Sequence, residues 1–254
     1  MIGIFDSGVG GLSVFREVRK VLPEESYIYY SDNANCPYGG KSKEFIIDRA
    51  RKITELLLEK GARIIVVACN TATAVAIKTL REEYPAIRFI GMEPAIKPAA
   101  QMTQTGVIGV LATAGTLSSE KYLNHKGKYA AETTIAEHIG EGFVELVESG
   151  NTAGHDAERT VAASLLPLLE AGADTIVLGC THYPFLSETI SKVAKERFPE
   201  RKVTVIDPAP AVAKHLKEVM KEEALLEATP KEAPSVTLLS SGDSTILEQT
   251  FQRL

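Results

Sequence analysis

The sequence predicts an α/β protein with two pseudo-symmetric domains, each a mainly parallel sheet covered by helices, with the functional site in the cleft between them. Two observations support this prediction: short apolar runs alternate with helical stretches along the whole chain, and the sequence of one helix–strand unit occurs twice. Strands that are apolar throughout are typical of parallel sheets covered on both faces. A chain of 254 residues is long enough for two domains of ordinary size.

Nine runs have the length and composition of buried strands. They are residues 2–5, 27–31, 64–68, 88–90, 107–111, 133–136, 175–178, 203–206 and 236–239. Between them, stretches such as 44–60 and 156–171 carry apolar residues at helical spacing. The stretch 225–234, rich in proline and glutamate, predicts an exposed loop before the last strand.

The repeated unit indicates an internal duplication. "LLEKGARIIVVACN" at residues 57–70 matches "LLEAGADTIVLGCT" at 168–181, cysteine included, and "IGIFDSG" at 2–8 is echoed more weakly by "IGVLATAG" at 108–115. Duplicated α/β halves usually bind a ligand between them, at the carboxyl ends of their strands. We therefore expect Cys69 and Cys180 to face each other from opposite walls of a cleft.

Composition excludes several classes of partner. The formal net charge is -5 and there is no cluster of lysine and arginine, so neither nucleic acid nor an anionic membrane is an expected partner. No apolar run approaches the roughly 20 residues that span a bilayer, and we expect no secretory leader. Three cysteines make a poor disulfide framework, which favours free thiols in a reducing cytoplasm.

Two facing thiols suit inversion of configuration at a carbon acid. One thiolate removes the Cα proton from one face, and the other thiol delivers a proton to the opposite face. Both cysteines precede helical stretches, where the helix N-terminus favours a thiolate. The alternatives are a disulfide, a zinc site, for which His182 supplies only a third ligand, and buried cysteines that serve only as small apolar side chains.

His182 and Asp6 are the candidate groups that assist the thiols. A lone histidine is often a core residue, and an aspartate before a helix is often an N-cap. "GVGG" at residues 8–11 fails the dinucleotide pattern, because Ser13 stands where the third glycine belongs. A turn whose N–H groups approach a small anion is the better interpretation, and we expect neither a cofactor nor a metal.

Five motifs together resemble the glutamate racemases of the cofactor-independent aspartate/glutamate racemase superfamily. They are "FDSGVGGLSV" (5–14), "DNANCPYGGKS" (32–42), "ACNTAT" (68–73), "ATAGT" (112–116) and "GCTHYP" (179–184). The resemblance covers nearly the whole chain, and it implies two α/β domains with the active site between them. The late strand and "IDPAPAVAK" suggest that the C-terminal segment rejoins the first domain, so we expect domains of 1–96 plus 208–254 and 97–207.

The resemblance also implies roles for individual residues. Cys69 matches the cysteine that deprotonates D-glutamate and Cys180 the one that deprotonates L-glutamate. Asp6 and His182 match the groups that assist these thiols, and Glu148 matches a further assisting glutamate on the His182 side. The positions that match substrate contacts or line the pocket are Ser7, Pro37, Tyr38, Gly39, Asn70, Thr71, Thr113, Thr116 and Thr181.

The sequence departs from the family at Gly140–Glu141–Gly142, where relatives often carry a Cys-Pro pair, and at Gly40–Lys41, where Glu-Arg is usual. The implied activity is racemisation of glutamate, which the family uses to supply D-glutamate for peptidoglycan, and we expect a homodimer. The alternatives are another racemase of the superfamily, such as an aspartate racemase, and a non-catalytic amino-acid-binding protein with two lobes and buried structural cysteines.

Overall fold

A computed structural model describes residues 1–226 and 233–254, so most of the predicted loop at 225–234 lies outside the described residues. The described chain forms two compact units, Met1–Met92 with Ala209–Leu254, and Glu93–Pro208. Each of the nine runs predicted as strands contains a strand, and both predicted helices are present to within one residue at each end.

The described residues of the first unit form a five-stranded, entirely parallel sheet and five α-helices. Its strands are β1 (Ile2–Asp6), β2 (Tyr27–Ser31), β3 (Ile64–Val67), β4 (Arg88–Gly91) and β9 (Val236–Ser240), in the order β4-β3-β1-β2-β9. Its helices are α1 (Leu12–Val21), α2 (Lys43–Glu59), α3 (Asn70–Glu83), α10 (Ala209–Glu222) and α11 (Thr245–Gln252). Because β9 pairs with β2, the C-terminal segment belongs to this sheet.

The second unit holds a four-stranded parallel sheet and six α-helices. Its strands are β5 (Val107–Ala112), β6 (Thr134–Ile139), β7 (Thr175–Gly179) and β8 (Thr204–Ile206), in the order β6-β5-β7-β8. Its helices are α4 (Ile96–Met102), α5 (Ala114–Leu117), α6 (Glu120–Tyr129), α7 (Phe143–Glu148), α8 (His155–Glu170) and α9 (Ser187–Arg197).

The two sheets share one strand order, which supports the internal duplication. The order β4-β3-β1-β2 in the first unit corresponds to β8-β7-β5-β6 in the second. In this correspondence β3 matches β7, the strands that precede the two cysteines, and β1 matches β5, the strands of the weaker sequence echo. The first unit differs by its additional edge strand β9.

The repeated letters "LLE-x-GA" encode the same helix ending twice. Gly61 after α2 has φ of 90°, and Gly172 after α8 has φ of 101°, a backbone region that glycine adopts without steric cost. In each copy the glycine N–H donates to the carbonyl of the second leucine, at 2.9 Å in the first copy and 3.0 Å in the second. The N–H of the following alanine donates to the carbonyl of the first leucine, at 3.0 and 3.1 Å. This is the Schellman arrangement, and it turns the chain directly into β3 and β7.

Burial explains why the central strands are apolar throughout. All five residues of β1 and all five of β7 are buried, because helices cover both faces of each sheet. In the first unit, the apolar faces of α2 and α3 form one core with Phe5, Ile65 and Val67. Among the helices of the described ranges, none combines the length and apolar character that crossing a bilayer requires.

Candidate active site

Cys69 is the N-cap of α3, as the sequence predicts. β3 ends two residues earlier, and the thiol sulfur accepts a hydrogen bond from the N–H of Ala72 at 3.4 Å. The side chain is buried, with 5% of its surface exposed. Because α3 has 14 residues, its unpaired N–H groups and its dipole favour a negative charge on this sulfur.

Asn70 and Thr71 form the first turn of α3 and are both buried. The side-chain oxygen of Asn70 has no hydrogen-bond partner among the described residues, although it is shielded from solvent. An unsatisfied buried acceptor costs free energy on the order of 1–3 kcal/mol. A ligand that donates a hydrogen bond at this helix end would remove that cost.

Asp6 closes the glycine-rich turn that follows β1. Its carboxylate accepts the N–H of Ser7 at 2.7 Å and that of Gly11 at 2.6 Å. Two N–H groups of this turn therefore bind the turn's own carboxylate, and its approach to a small bound anion stays a prediction. Gly11 has no room for a side chain, because a Cβ there would lie 2.7 Å from that of Asp6 and 2.8 Å from the hydroxyl of Tyr29.

Ser7 connects Asp6 to the first cysteine. Its hydroxyl lies 3.4 Å from the Asp6 carboxylate and 3.8 Å from the sulfur of Cys69. All three side chains are buried. The carboxyl ends of the adjacent strands β1 and β3 therefore bring together three of the predicted site residues in one polar chain.

The segment after β2 carries Pro37, Tyr38 and Gly39, and the Tyr38 side chain is held by a neighbouring carboxylate. The ring is buried, and its hydroxyl donates a hydrogen bond to the carboxylate of Asp32. Burial, followed by the hydrogen bond to that carboxylate, raises the pKa of Tyr38 far above its ordinary value, so the hydroxyl stays protonated. The hydroxyl proton of Tyr38 is thus engaged by Asp32, and the backbone groups of Pro37, Tyr38 and Gly39 stay the predicted substrate contacts of this segment.

Cys180 follows β7 directly and lies beside His182. The sulfur is 3.7 Å from Nδ1 of the imidazole, and Nε2 is 2.6 Å from a carboxylate oxygen of Glu148. His182 is 2% exposed, and the Glu148 side chain is 22% exposed. Thiol, imidazole and carboxylate thus lie in a row, which brings together three of the predicted residues within the second unit.

A helical stretch follows Cys180, as the sequence predicts, but it begins with a 3-10 turn. The 3-10 helix Tyr183–Leu186 comes first, and α9 follows it directly from Ser187. Pro184 lies in the first turn of this stretch, where a missing backbone N–H breaks no helical hydrogen bond. Cys180 differs from Cys69 in that it precedes the helical stretch without capping it and has an imidazole beside it.

Helix α7 carries Glu148 to His182, and Tyr183 fixes α7. The Tyr183 ring packs edge-on against Phe143 with 4.9 Å between centroids, and its hydroxyl donates to the carbonyl of Gly140 at 3.3 Å. Burial, and then the charge of Cys180, raise the pKa of Tyr183 well above its ordinary value. Gly140 makes this close approach possible, since a Cβ there would lie 2.6 Å from the Tyr183 hydroxyl.

The threonines of the second unit occupy the carboxyl ends of the same strands. Thr113 follows β5 and caps α5, and its hydroxyl lies 3.0 Å from that of Thr116. Thr181 is buried directly after Cys180. In each unit, therefore, the predicted residues lie where neighbouring parallel strands end, which is the usual position of ligand sites in such sheets.

Asp32 and Arg49 belong to the same region, although they are not among the site residues predicted from the sequence. Asp32 is completely buried, and Arg49 of α2 binds it with two hydrogen bonds. A signal was available for Asp32, because it follows a buried strand in the same way as Asp6 does. Arg49 has no such signal, since it is one of several charges on an amphipathic helix.

Comparison with known proteins agrees with this geometry. The family model of the Asp/Glu/Hydantoin racemases matches residues 10–216. The glutamate racemase of Herpetosiphon aurantiacus is 46% identical over 242 residues, which covers 95% of this chain and 92% of that protein.

Two solved structures extend the likeness to the fold. Escherichia coli glutamate racemase in complex with L-glutamate and the activator UDP-MurNAc-ala has a TM-score of 0.86 at 34% identity, covering 99% of this chain and 94% of that one. Francisella tularensis glutamate racemase in complex with D-glutamate has a TM-score of 0.83 at 29% identity, covering 100% and 93%. The chain thus belongs to the Asp/Glu/Hydantoin racemase family and is an amino-acid racemase, an isomerase.

Proposed function

We propose that this racemase interconverts L-glutamate and D-glutamate by a cofactor-independent 1,1-proton transfer between Cys69 and Cys180. The observation that carries the proposal is that corresponding strands of the duplicated sheets, β3 and β7, each lead to a buried cysteine with a group beside it that supports a thiolate. The names of the relatives, and the glutamate bound to two of them, support the choice of substrate.

In the proposed conversion of D-glutamate to L-glutamate, the Cys69 thiolate removes the Cα proton of D-glutamate. The N-terminus of α3 stabilises the thiolate, and the chain through Ser7 to Asp6 offers a path for its proton. The electron pair of the broken C–H bond passes to Cα and its carboxylate. Cys180, as a thiol, then protonates the opposite face, which gives L-glutamate.

In the reverse direction, the Cys180 thiolate removes the proton of L-glutamate and Cys69 supplies the new one. Glu148 as a carboxylate can only accept a hydrogen bond, so Nε2 of His182 carries the proton and Nδ1 is the acceptor that faces Cys180. The imidazole can then take the thiol proton, and Glu148 stabilises the resulting imidazolium. Neither direction consumes a cofactor, because the proton that leaves one face of Cα is replaced by a proton at the opposite face.

The proposed substrate contacts are neutral groups at the same strand ends. The unpaired side-chain oxygen of Asn70 suits the α-ammonium group of an amino acid. The N–H groups of the first turn of α3, with the hydroxyls of Ser7, Thr71, Thr113, Thr116 and Thr181, suit its carboxylates. Pro37 and the backbone groups of Tyr38 and Gly39 complete the proposed pocket.

Deuterium wash-in tests substrate and chemistry together. Incubation of either glutamate enantiomer in deuterated water should place one solvent deuterium at Cα of the product enantiomer, detected by proton NMR and mass spectrometry on a chiral column. Replacement of Cys69 or Cys180 by alanine should lower turnover by at least about 10³-fold, as removal of an essential acid or base does. Exchange with aspartate but not glutamate would indicate a different racemase of the family, and no exchange with either amino acid would contradict the proposed reaction.

The wider roles are proposals that rest on the family. We propose that the enzyme works in the cytoplasm, where its thiols stay reduced, that it forms a homodimer, and that its D-glutamate enters peptidoglycan. We also propose residues 1–96 plus 208–254 and residues 97–207 as its domains. The free state of all three cysteines agrees with a reducing environment.

A further inference from the structure

Asp32 is a completely buried carboxylate at the end of β2, and both of its oxygens are engaged. One oxygen accepts hydrogen bonds from Arg49 at 2.7 Å and from Asn35 at 3.0 Å. The other accepts from Arg49 at 2.9 Å and from the hydroxyl of Tyr38. Its backbone N–H also bonds to the carbonyl of Asp6 at 2.9 Å, which ties it to the neighbouring strand end.

Arg49 makes this burial possible. A carboxylate without solvent is costly unless a charged partner and hydrogen bonds replace the water. The guanidinium group, 20% exposed, reaches from α2 and binds both oxygens in the two-pronged geometry that is specific to arginine. Burial of Asp32 opposes its ionisation, but the hydrogen bonds from Arg49, Tyr38 and Asn35 outweigh it and lower its pKa.

The groups that Asp32 holds lie before and within the segment proposed to contact the substrate. Asn35 and Tyr38 are its two side-chain partners in the segment of residues 33–40, and Pro37 lies between them. The Tyr38 ring is packed in the same core as Cys69 and Ala72 of α3. A carboxylate held rigidly between these points leaves the backbone from Asn35 to Gly39 little freedom.

We propose that Arg49 and Asp32 are a positioning pair that fixes residues 35–39 in the conformation that binds the amino-acid substrate. The proposal rests on the proposed function, and it adds two residues to that site without placing either in contact with the reacting atoms. Arg49 acts on this segment through Asp32, and Asp32 acts on it through Asn35 and Tyr38. Loss of the pair should therefore weaken substrate binding more than it slows proton transfer.

The test compares Arg49→Gln with Arg51→Gln on the same helix. Arg51 makes an equivalent two-pronged pair with Glu83, but both partners are exposed and outside the site. We expect Arg49→Gln to raise KM for both glutamate enantiomers on the order of 10-fold, since a small displacement of positioning groups has effects of at least this size. kcat should fall less than KM rises, and Arg51→Gln should leave both unchanged.

Two further variants keep the test decisive if Arg49→Gln folds poorly. Arg49→Lys keeps the positive charge but loses the bidentate hydrogen bonding to Asp32, and it should give an intermediate KM. Tyr38→Phe keeps the buried ring and removes only the hydroxyl that Asp32 holds, and it should raise KM in the same direction. Thermal melting of each variant separates loss of fold from loss of binding. A KM equal to that of wild type in folded Arg49→Gln, Arg49→Lys and Tyr38→Phe would overturn the proposal.

Hydrogen exchange measures the positioning without any substrate. Backbone amides of residues 35–41 should exchange faster in Arg49→Gln than in Arg51→Gln, as read by mass spectrometry of peptides from this segment. Unchanged exchange would contradict the pair even if KM had risen. If the wild-type chain fails to racemise glutamate, the proposed function fails, and the exchange measurement still decides whether Arg49 and Asp32 order this segment.

Discussion

Nε2 of His182 lies 2.6 Å from a carboxylate oxygen of Glu148, with the histidine almost fully buried. This contact fixes both the orientation of the ring and its tautomer, because an ionised carboxylate accepts and cannot donate. The other ring nitrogen is then left to face Cys180 as an acceptor. The arrangement has the logic of a thiol activated by an oriented imidazole.

Replacement of Glu148 by glutamine tests this orientation. The amide can donate as well as accept and carries no charge, so His182 loses both its fixed tautomer and the group that stabilises its charged form. We expect turnover to fall on the order of 10²-fold. The deuterium isotope effect with α-deuterated L-glutamate should increase, because Cys180 is the proposed base for that enantiomer.

Glu145→Gln is the matched control, since Glu145 is exposed on the same short helix. It should retain wild-type kinetics and isotope effects. Equal losses in the two variants would mean that charge on α7, rather than the bond to His182, matters. An isotope effect that rises with α-deuterated D-glutamate instead would reverse the assignment of the two thiols.

Replacement of Ser7 by alanine tests the path between Asp6 and Cys69. The turn should persist, because Asp6 accepts the backbone N–H of Ser7, which the substitution retains. If Asp6 assists Cys69 through this hydroxyl, turnover should fall by about 10-fold or more, with little change in the free energy of unfolding. Asp6→Asn should lose activity and also destabilise the turn, because an amide cannot accept both N–H groups. Normal turnover in Ser7→Ala would show that the hydroxyl is not on the path.

Gly140→Ala should destabilise the protein through Tyr183. The added methyl group would meet the Tyr183 hydroxyl at 2.6 Å and its ring at 2.7 Å, so the ring or α7 must move. Overpacking of this kind costs about 1–3 kcal/mol. Urea unfolding should show that loss, and turnover should fall because α7 carries Glu148.

Gly127→Ala provides the control for Gly140→Ala. Gly127 lies within α6 with open space around it, so alanine there should stabilise the protein by roughly 0.5–1 kcal/mol. A Gly140→Ala variant with wild-type stability and turnover would show that Tyr183 and α7 yield without consequence for the site.

Asp174 should contribute a stability that depends on pH. Burial opposes its ionisation, but hydrogen bonds from Thr103, Gln104, Thr105 and Thr175 hold its pKa below the ordinary value of 3.8. A lowered pKa in the folded state stabilises the protein above the unfolded pKa, and that stability is lost as pH falls through the folded pKa.

Asp174→Asn should therefore lower the free energy of unfolding at pH 7 by about 1–3 kcal/mol. The difference from wild type should shrink as pH falls below about 4, near the unfolded pKa of an aspartate. Chemical unfolding at several pH values measures both effects. Asp156→Asn, in an exposed ion pair with Arg159, should change stability little at any pH. A constant difference for Asp174→Asn across this range would rule out ionisation as the cause.

The sequence predicts the strands well because buried parallel strands are continuous apolar runs, and β1, β3 and β7 need no tertiary context to be found. The same holds for Cys69, since an N-cap position follows from local pattern. Local pattern does not predict the contacts of the Tyr38 hydroxyl or of Arg49. Both bind Asp32, which is 6 residues from Tyr38 and 17 residues from Arg49 in the sequence. The helical stretch after Cys180 is also predicted by local pattern, but its 3-10 start is not, because "THYPFLSETISKVAK" has the same helical spacing throughout.

The unequal surroundings of Cys69 and Cys180 have a thermodynamic consequence for the proposed racemase. Enantiomers have the same free energy in water, so their equilibrium constant is one whatever the enzyme contains. The Haldane relation then makes kcat/KM identical for both directions, in the wild type and in every variant. The helix terminus beside Cys69 and the imidazole beside Cys180 can therefore change KM and kcat for one enantiomer only in the same proportion. A change at His182 can make one enantiomer bind more tightly and turn over more slowly, but it cannot alter the equilibrium between the two.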